Sequence, residues 1–198
     1  MTKGSKEDSP VEQTIKEKAS SSPMKLGMIL FLISEAFLFG ALFTVYYYLR
    51  AETAVWPPVD VHLDLPLAIV NTAILLTSSV VIWWAGTAIR NGNEKGLSVG
   101  LSLTIILGAA FLAITGYEWA HETFGASTSA YGSIFFTMTG FHALHVFGGI
   151  LLMLSLLARN TKHKFSSSHY LAVEVGSLYW HYVDFVWIIV FATLFIIK

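Results

Sequence analysis

Six ionisable side chains stand within or at the edge of long apolar runs of this 198-residue sequence, and they are the groups whose chemistry needs explaining. Glu35 lies ten residues past Lys25, and no other charge falls between Leu26 and Leu49. On a helix rising ~1.5 Å per residue it sits ~15 Å beyond that lysine, near the middle of a ~30 Å hydrocarbon layer. A carboxylate at that depth costs roughly 2.5–3.5 kcal/mol, so it needs a partner, a wet surface or a proton. His142 and His145 are spaced i, i+3 and share a helical face in GFHALHVFGG. Glu174, His181 and Asp184 fall at relative positions 0, 7 and 10, one stripe of a helix, with Glu174 nearest its start.

Three kinds of chemistry suit these types. The plainest is interhelical hydrogen bonding, worth ~0.6–2 kcal/mol per bond. A carboxyl that gains and loses a proton is the second, and Glu35 suits it because no ionisable residue lies within a turn of it on its own helix. The third is a cofactor: His142 with His181 matches the depth required of a bis-histidine haem, and a metal accepts His, Asp and Glu together. The chain would then be a small membrane cytochrome or ion carrier. The HxxH spacing alone is a weak signal for either. His62, His121, His163 and His169 fall in loops or at a helix end and read as solvated.

The elements that must position these groups are helices in a membrane. The composition is 55% hydrophobic and 13% charged, against ~45–50% and ~25% for soluble domains. The absence of cysteine excludes disulfides and thiolate-held clusters, and a formal net charge of −1 gives no footing for nucleic acid. Five apolar segments, about Met24–Tyr48, Leu65–Ile89, Leu97–Thr115, Ser133–Leu157 and Leu171–Ile197, approach spanning length without barrel-like alternation. The predicted fold is an all-α membrane protein, a five-transmembrane-helix bundle over residues 24–198. Residues 1–23 are polar, lack an apolar run of signal-peptide type, and read as a flexible cytoplasmic tail.

Ten of the twelve lysines and arginines fall before the first segment, after the second or after the fourth. That bias predicts a cytoplasmic amino terminus and an outer carboxyl terminus. Gly140, Gly148 and Gly149 suit close approach of a neighbouring helix to the fourth segment. In the first outer loop Trp56 precedes Pro57 and Pro58, a stiffened extended run with an interfacial indole. A second outer loop is expected at about Gly116–Gly132, carrying Glu118, His121 and Glu122 among aromatics.

The runs SEAFLFGALF, WPP, LPLAIVNTAILLTSS, YGSIFFTMTGFHALHVFGG and YWHYVDFVW, in order from Lys25 to Ile197, resemble subunit III of haem-copper respiratory oxidases. The resemblance implies an accessory subunit that stabilises subunit I, supports proton uptake on the cytoplasmic side, holds phospholipid and carries no haem or copper of its own. Its expected partners are subunit I directly, subunit II and a small subunit IV, with haem and copper in the partners and bound phospholipid. The assembly would reduce oxygen to water and pump protons in a bacterial cytoplasmic (inner) membrane, with cytochrome c or another donor serving the complex. Glu35 matches the family's carbodiimide-reactive carboxyl, and His142, His145, His181 and Asp184 match polar positions of its last two helices. Longer members carry two further helices that wall a lipid cleft, so this sequence resembles the short five-helix form. Glu after Ser34, with the WPP loop, points to the cytochrome c type over quinol oxidases and nitric oxide reductase relatives.

Overall fold

The computed structural model describes the backbone of residues 10–59 and 61–197, with side chains from Pro23 onward. Five α-helices follow one another: α1 Pro10–Glu52, α2 Leu65–Arg90, α3 Glu94–His121, α4 Ala130–Asn160 and α5 Leu171–Phe191, the last continuing as a π-helical turn over Ala192–Ile196. Each contains a stretch long and apolar enough to span a membrane, beginning at Pro23 in α1. The backbone over 10–23 is helical, and Pro10 opens it at a position where the missing N–H costs nothing. Residues 1–9 of the expected tail lie outside the described residues.

Local chemistry fixes the helix starts. Asp64 caps α2 through the Leu67 N–H at 3.1 Å, Asn93 caps α3 through Gly96 at 2.8 Å, and Ser129 caps α4 through Gly132 at 3.0 Å. The α2–α3 turn is short and passes through Gly92 at φ 75°, a left-handed conformation that glycine adopts at little cost. Two expected boundaries move. α3 runs on to His121, so Glu118 and His121 are helical, and α4 begins at Ala130. The reason is that Gly116 does not break a helix, which ends only where Glu122 turns extended after its N–H bonds the Glu118 carbonyl.

α2 and α3 form the closest pair: a Cβ at Gly100 would collide with that of Ala85, so the backbones approach through small residues. α5 is the most buried helix and α1 the least. Trp180 of α5, with no exposed surface, fills the space beside Gly108 and Gly149 and donates its indole N–H to Ser78 of α2 at 2.9 Å. Trp187 donates likewise to Thr72 at 3.0 Å. α1 packs on α4 and α5, and its polar ties lie at successive depths. Lys25 meets Glu174 at 2.7 Å, Glu35 meets His145, Tyr46 donates to the Thr193 carbonyl at 3.0 Å, and Arg50 donates to that of Ile197 at 2.7 Å.

Candidate functional site

The intramembrane polar residues form separate nodes rather than one cluster. At the first, Glu35 Oε2 lies 2.8 Å from His145 Nε2. His145 Nδ1 is 2.6 Å from the Phe141 carbonyl, which only accepts, so Nδ1 carries a hydrogen. A short contact from Nε2 to the carboxyl then needs one more proton between the two groups, either on the acid or on the ring. With that proton the pair has no net charge, which is what a hydrocarbon setting favours. Tyr179 donates to the His145 carbonyl at 3.0 Å, and Phe39 covers the imidazole with ring centres 5.1 Å apart.

His142, one turn away on α4, points elsewhere. It is fully buried between Trp187, at 4.7 Å between ring centres, and Phe111, at 5.6 Å, and neither ring nitrogen has a hydrogen-bond partner. Asn71 reaches the same region, donating to Thr115 at 3.1 Å while its own carbonyl oxygen stays unpaired. His181 belongs to a third node between α2 and α5. Its Nδ1 is 2.6 Å from the Ser79 hydroxyl and its Nε2 is 3.2 Å from that of Ser177. Asp184 is buried on the same helix as His181, and neither of its carboxyl oxygens has a hydrogen-bond partner among the described residues.

The expected stripe of Glu174, His181 and Asp184 is present on α5, but Glu174 stands at its surface end. It is bridged by Lys25 of α1 at 2.7 Å and Arg90 of α2 at 3.2 Å. Below these charges a cavity of about 380 Å³ opens between α1, α2 and α5 and reaches down to His181.

Glu35, His142, His145, His181 and Asp184 therefore do not converge on one site. Positions i and i+3 differ by about 60° around a helix, enough to send His145 to α1 and His142 to the α3–α5 core. The bis-histidine alternative fails on the same geometry. His142 is enclosed by Phe111 and Trp187, and His181 is engaged by two serines of the opposite node. Among the described residues no three His, Asp or Glu side chains converge closely enough for a metal.

Serines 79 and 177, Tyr179 and Asn71 are site residues that the search for ionisable groups passed over. Ser177 was findable, since it stands at i+3 from Glu174 and i−4 from His181. Trp56 is half-buried, edge-on to Tyr46 and Tyr131 with ring centres 5.4 and 5.1 Å apart; the Trp56–Pro57 bond is cis. Pro57 and Pro58 complete that turn, and the Pro58 carbonyl accepts from the Val61 N–H. His62, His121, His163 and His169 are all exposed, as expected; His163 meets Glu94 at 2.7 Å and His121 stacks on Tyr117.

Five apolar helices joined by polar contacts such as Glu35–His145 and Ser79–His181 define a multi-pass helical membrane protein. The model of one family, cytochrome c oxidase subunit III, matches residues 8–198. Similar proteins include cytochrome c oxidase subunit 3 of Thermostichus vulcanus, 38% identical over 87% of this chain and 86% of the relative. That of Synechocystis is 41% identical over 86% and 74%, and that of the horse, Equus caballus, 38% identical over 87% and 69%. The chain belongs to the cytochrome c oxidase subunit III family, and with it to the subunits of an oxidase complex.

Proposed function

We propose that the chain is a non-catalytic subunit III of a proton-pumping haem-copper cytochrome c oxidase in a bacterial cytoplasmic membrane, its amino terminus on the cytoplasmic side. It packs directly on subunit I, beside subunit II and a small subunit IV. Haem and copper belong to those partners. What supports this reading is the family match over residues 8–198 together with the neutral Glu35–His145 pair. Ten of the twelve cationic side chains on one side support the orientation.

The pair gives the subunit a stabilising role. It fastens the least buried helix, α1, to α4 at mid-depth, leaving a broad apolar surface that phospholipid covers in the assembled complex. Loss of the tie frees α1 and loosens the lipid packed on it. The test is Glu35→Ala in the assembled oxidase. The haem spectrum should be unchanged while lipid retention, assembly yield or lifetime during turnover falls. A variant equal to wild type in all three would refute the role of Glu35. Haem retained by the subunit after it is stripped from the complex would refute the accessory reading as a whole.

A further inference from the structure

We propose that Asn91–Gly92, in the turn between α2 and α3, is a self-modification site that the closed helix hairpin keeps silent and that converts, one way, in chains whose hairpin has opened. The proposal goes beyond the function proposed above and does not depend on it. Of the four asparagines in the chain only Asn91 precedes a glycine. A side chain on the following residue shields its backbone nitrogen from the asparagine carboxamide, and glycine has none. The other three differ further: Asn71 and Asn160 are buried, and Asn93, ahead of Glu94, has its carboxamide oxygen on the Gly96 N–H at 2.8 Å. Asn91 and Gly92 are both exposed, with water at hand for the reaction.

The Gly92 amide nitrogen, once its hydrogen has passed to solvent, attacks the side-chain carbonyl carbon of Asn91. A new C–N bond forms, the bond to the side-chain nitrogen breaks, and that nitrogen takes up a proton and leaves as ammonia. Water then opens the five-membered imide at either carbonyl, so position 91 becomes aspartate or its backbone-shifted isomer, isoaspartate. Two features of the turn block the attack. With Asn91 at φ −89° and ψ 12°, the Gly92 nitrogen nearly eclipses the backbone nitrogen of Asn91, whereas ring closure needs it to eclipse Cβ. The Gly92 N–H is also engaged, donating to the Ile89 carbonyl at 2.9 Å, while the Asn93 N–H donates to that of Ala88 at 2.9 Å. These are the paired bonds that close a helix through a left-handed glycine, here Gly92 at φ 75°. Turning the Asn91 backbone toward closure breaks both, so the reaction follows local opening of the cap. Hairpin packing keeps the cap shut: Gly96 stands so close to Ala88 and the Asn93 carboxamide that a Cβ there would strike both. Loss of ammonia makes the step irreversible. Either product puts a negative charge at the carbonyl end of α2, where the helix dipole disfavours it, and isoaspartate adds a methylene to the backbone of a tight turn.

The test uses the full chain in its assembled membrane complex at mildly alkaline pH, with aspartate and isoaspartate at position 91 counted by mass spectrometry of the proteolytic peptide. Each rate is divided by that of the same chain unfolded in denaturant, which cancels the intrinsic reactivity of the sequence. Folded wild type should convert roughly tenfold more slowly than unfolded, or slower still. Asn93→Ala, which removes the α3 cap and leaves Asn91–Gly92 intact, should raise the folded-to-unfolded ratio by roughly threefold or more. Should that variant not assemble, wild type warmed below its thermal midpoint reads the same gate, and the ratio should rise in step with amide hydrogen exchange at Gly92. Folded wild type converting at the unfolded rate, or a ratio unmoved by opening of the cap, would overturn the proposal.

Discussion

Glu35 and His145 are held by a count of hydrogens rather than by a matched pair of charges. The Phe141 carbonyl fixes one hydrogen on Nδ1, so the contact from Nε2 to the carboxyl needs one proton and no more. A side chain that supplies an N–H in the same place should therefore serve. Glu35→Gln is expected to keep the thermal midpoint of the complex near wild type, whereas Glu35→Ala, which leaves His145 short of a partner, should cost ~1–2 kcal/mol. Thermal denaturation of the two variants in lipid nanodiscs separates these outcomes.

Glu122, outside the spans, gives a pH signature of the opposite kind. Burial, reinforced by the nearby Asp64, pushes its carboxyl above the ordinary range. The folded chain then holds that proton more tightly than the unfolded chain. Stability falls as pH rises through the window between the unfolded and the raised folded value, and is regained on acidification. Replacing Glu122 with Gln should remove this component of the slope of thermal midpoint against pH. An unchanged slope would mean that Glu122 is not its source.

Helix contacts, one level up, rest on small residues and indoles. Gly100 lies so close to Ala85 that one added methyl group has nowhere to go. Gly100→Ala should destabilise by ~1–3 kcal/mol, and Ala85→Gly in the same chain should restore much of that loss, as measured by reversible unfolding in mixed micelles. A single variant as stable as wild type would show that the hairpin yields without cost.

The existence and order of the five helices were readable from hydropathy and loop charge, because the bilayer allows few solutions. The positions of α2 and α5 were readable almost to the residue. The far end of α3 was not, since beyond the hydrocarbon the apolar signal stops while the helix continues to His121. The grouping of polar side chains was the least readable feature. A spacing of i, i+3 looks like one face, yet it sends His142 and His145 to different helices. Ser79 carries no charge to draw notice, although His181 depends on it.

Across the whole molecule, stability is uneven. α2 to α5 share a tightly packed interior, while α1 leans on α4 and α5 and is tied at intervals. The Lys25–Glu174–Arg90 bridge at its basic end is half-exposed on both cations, which limits it to less than about 1 kcal/mol. Glu174→Gln should barely move global unfolding but should raise local hydrogen exchange at the start of the α1 span. Equal protection there in both proteins would show that packing alone holds that end.

The ties of α1 also set an order of events during synthesis. Its polar partners are Glu174, His145, Thr193 and Ile197, all made after α3 is complete, so α1 meets them only once α4 and α5 have followed. Until α4 arrives, Glu35 waits in the bilayer without its imidazole and bears a cost of roughly 2.5–3.5 kcal/mol. A chain that stalls before His145 thus displays an unmatched acid in the membrane, a mark by which an unfinished subunit differs from a finished one.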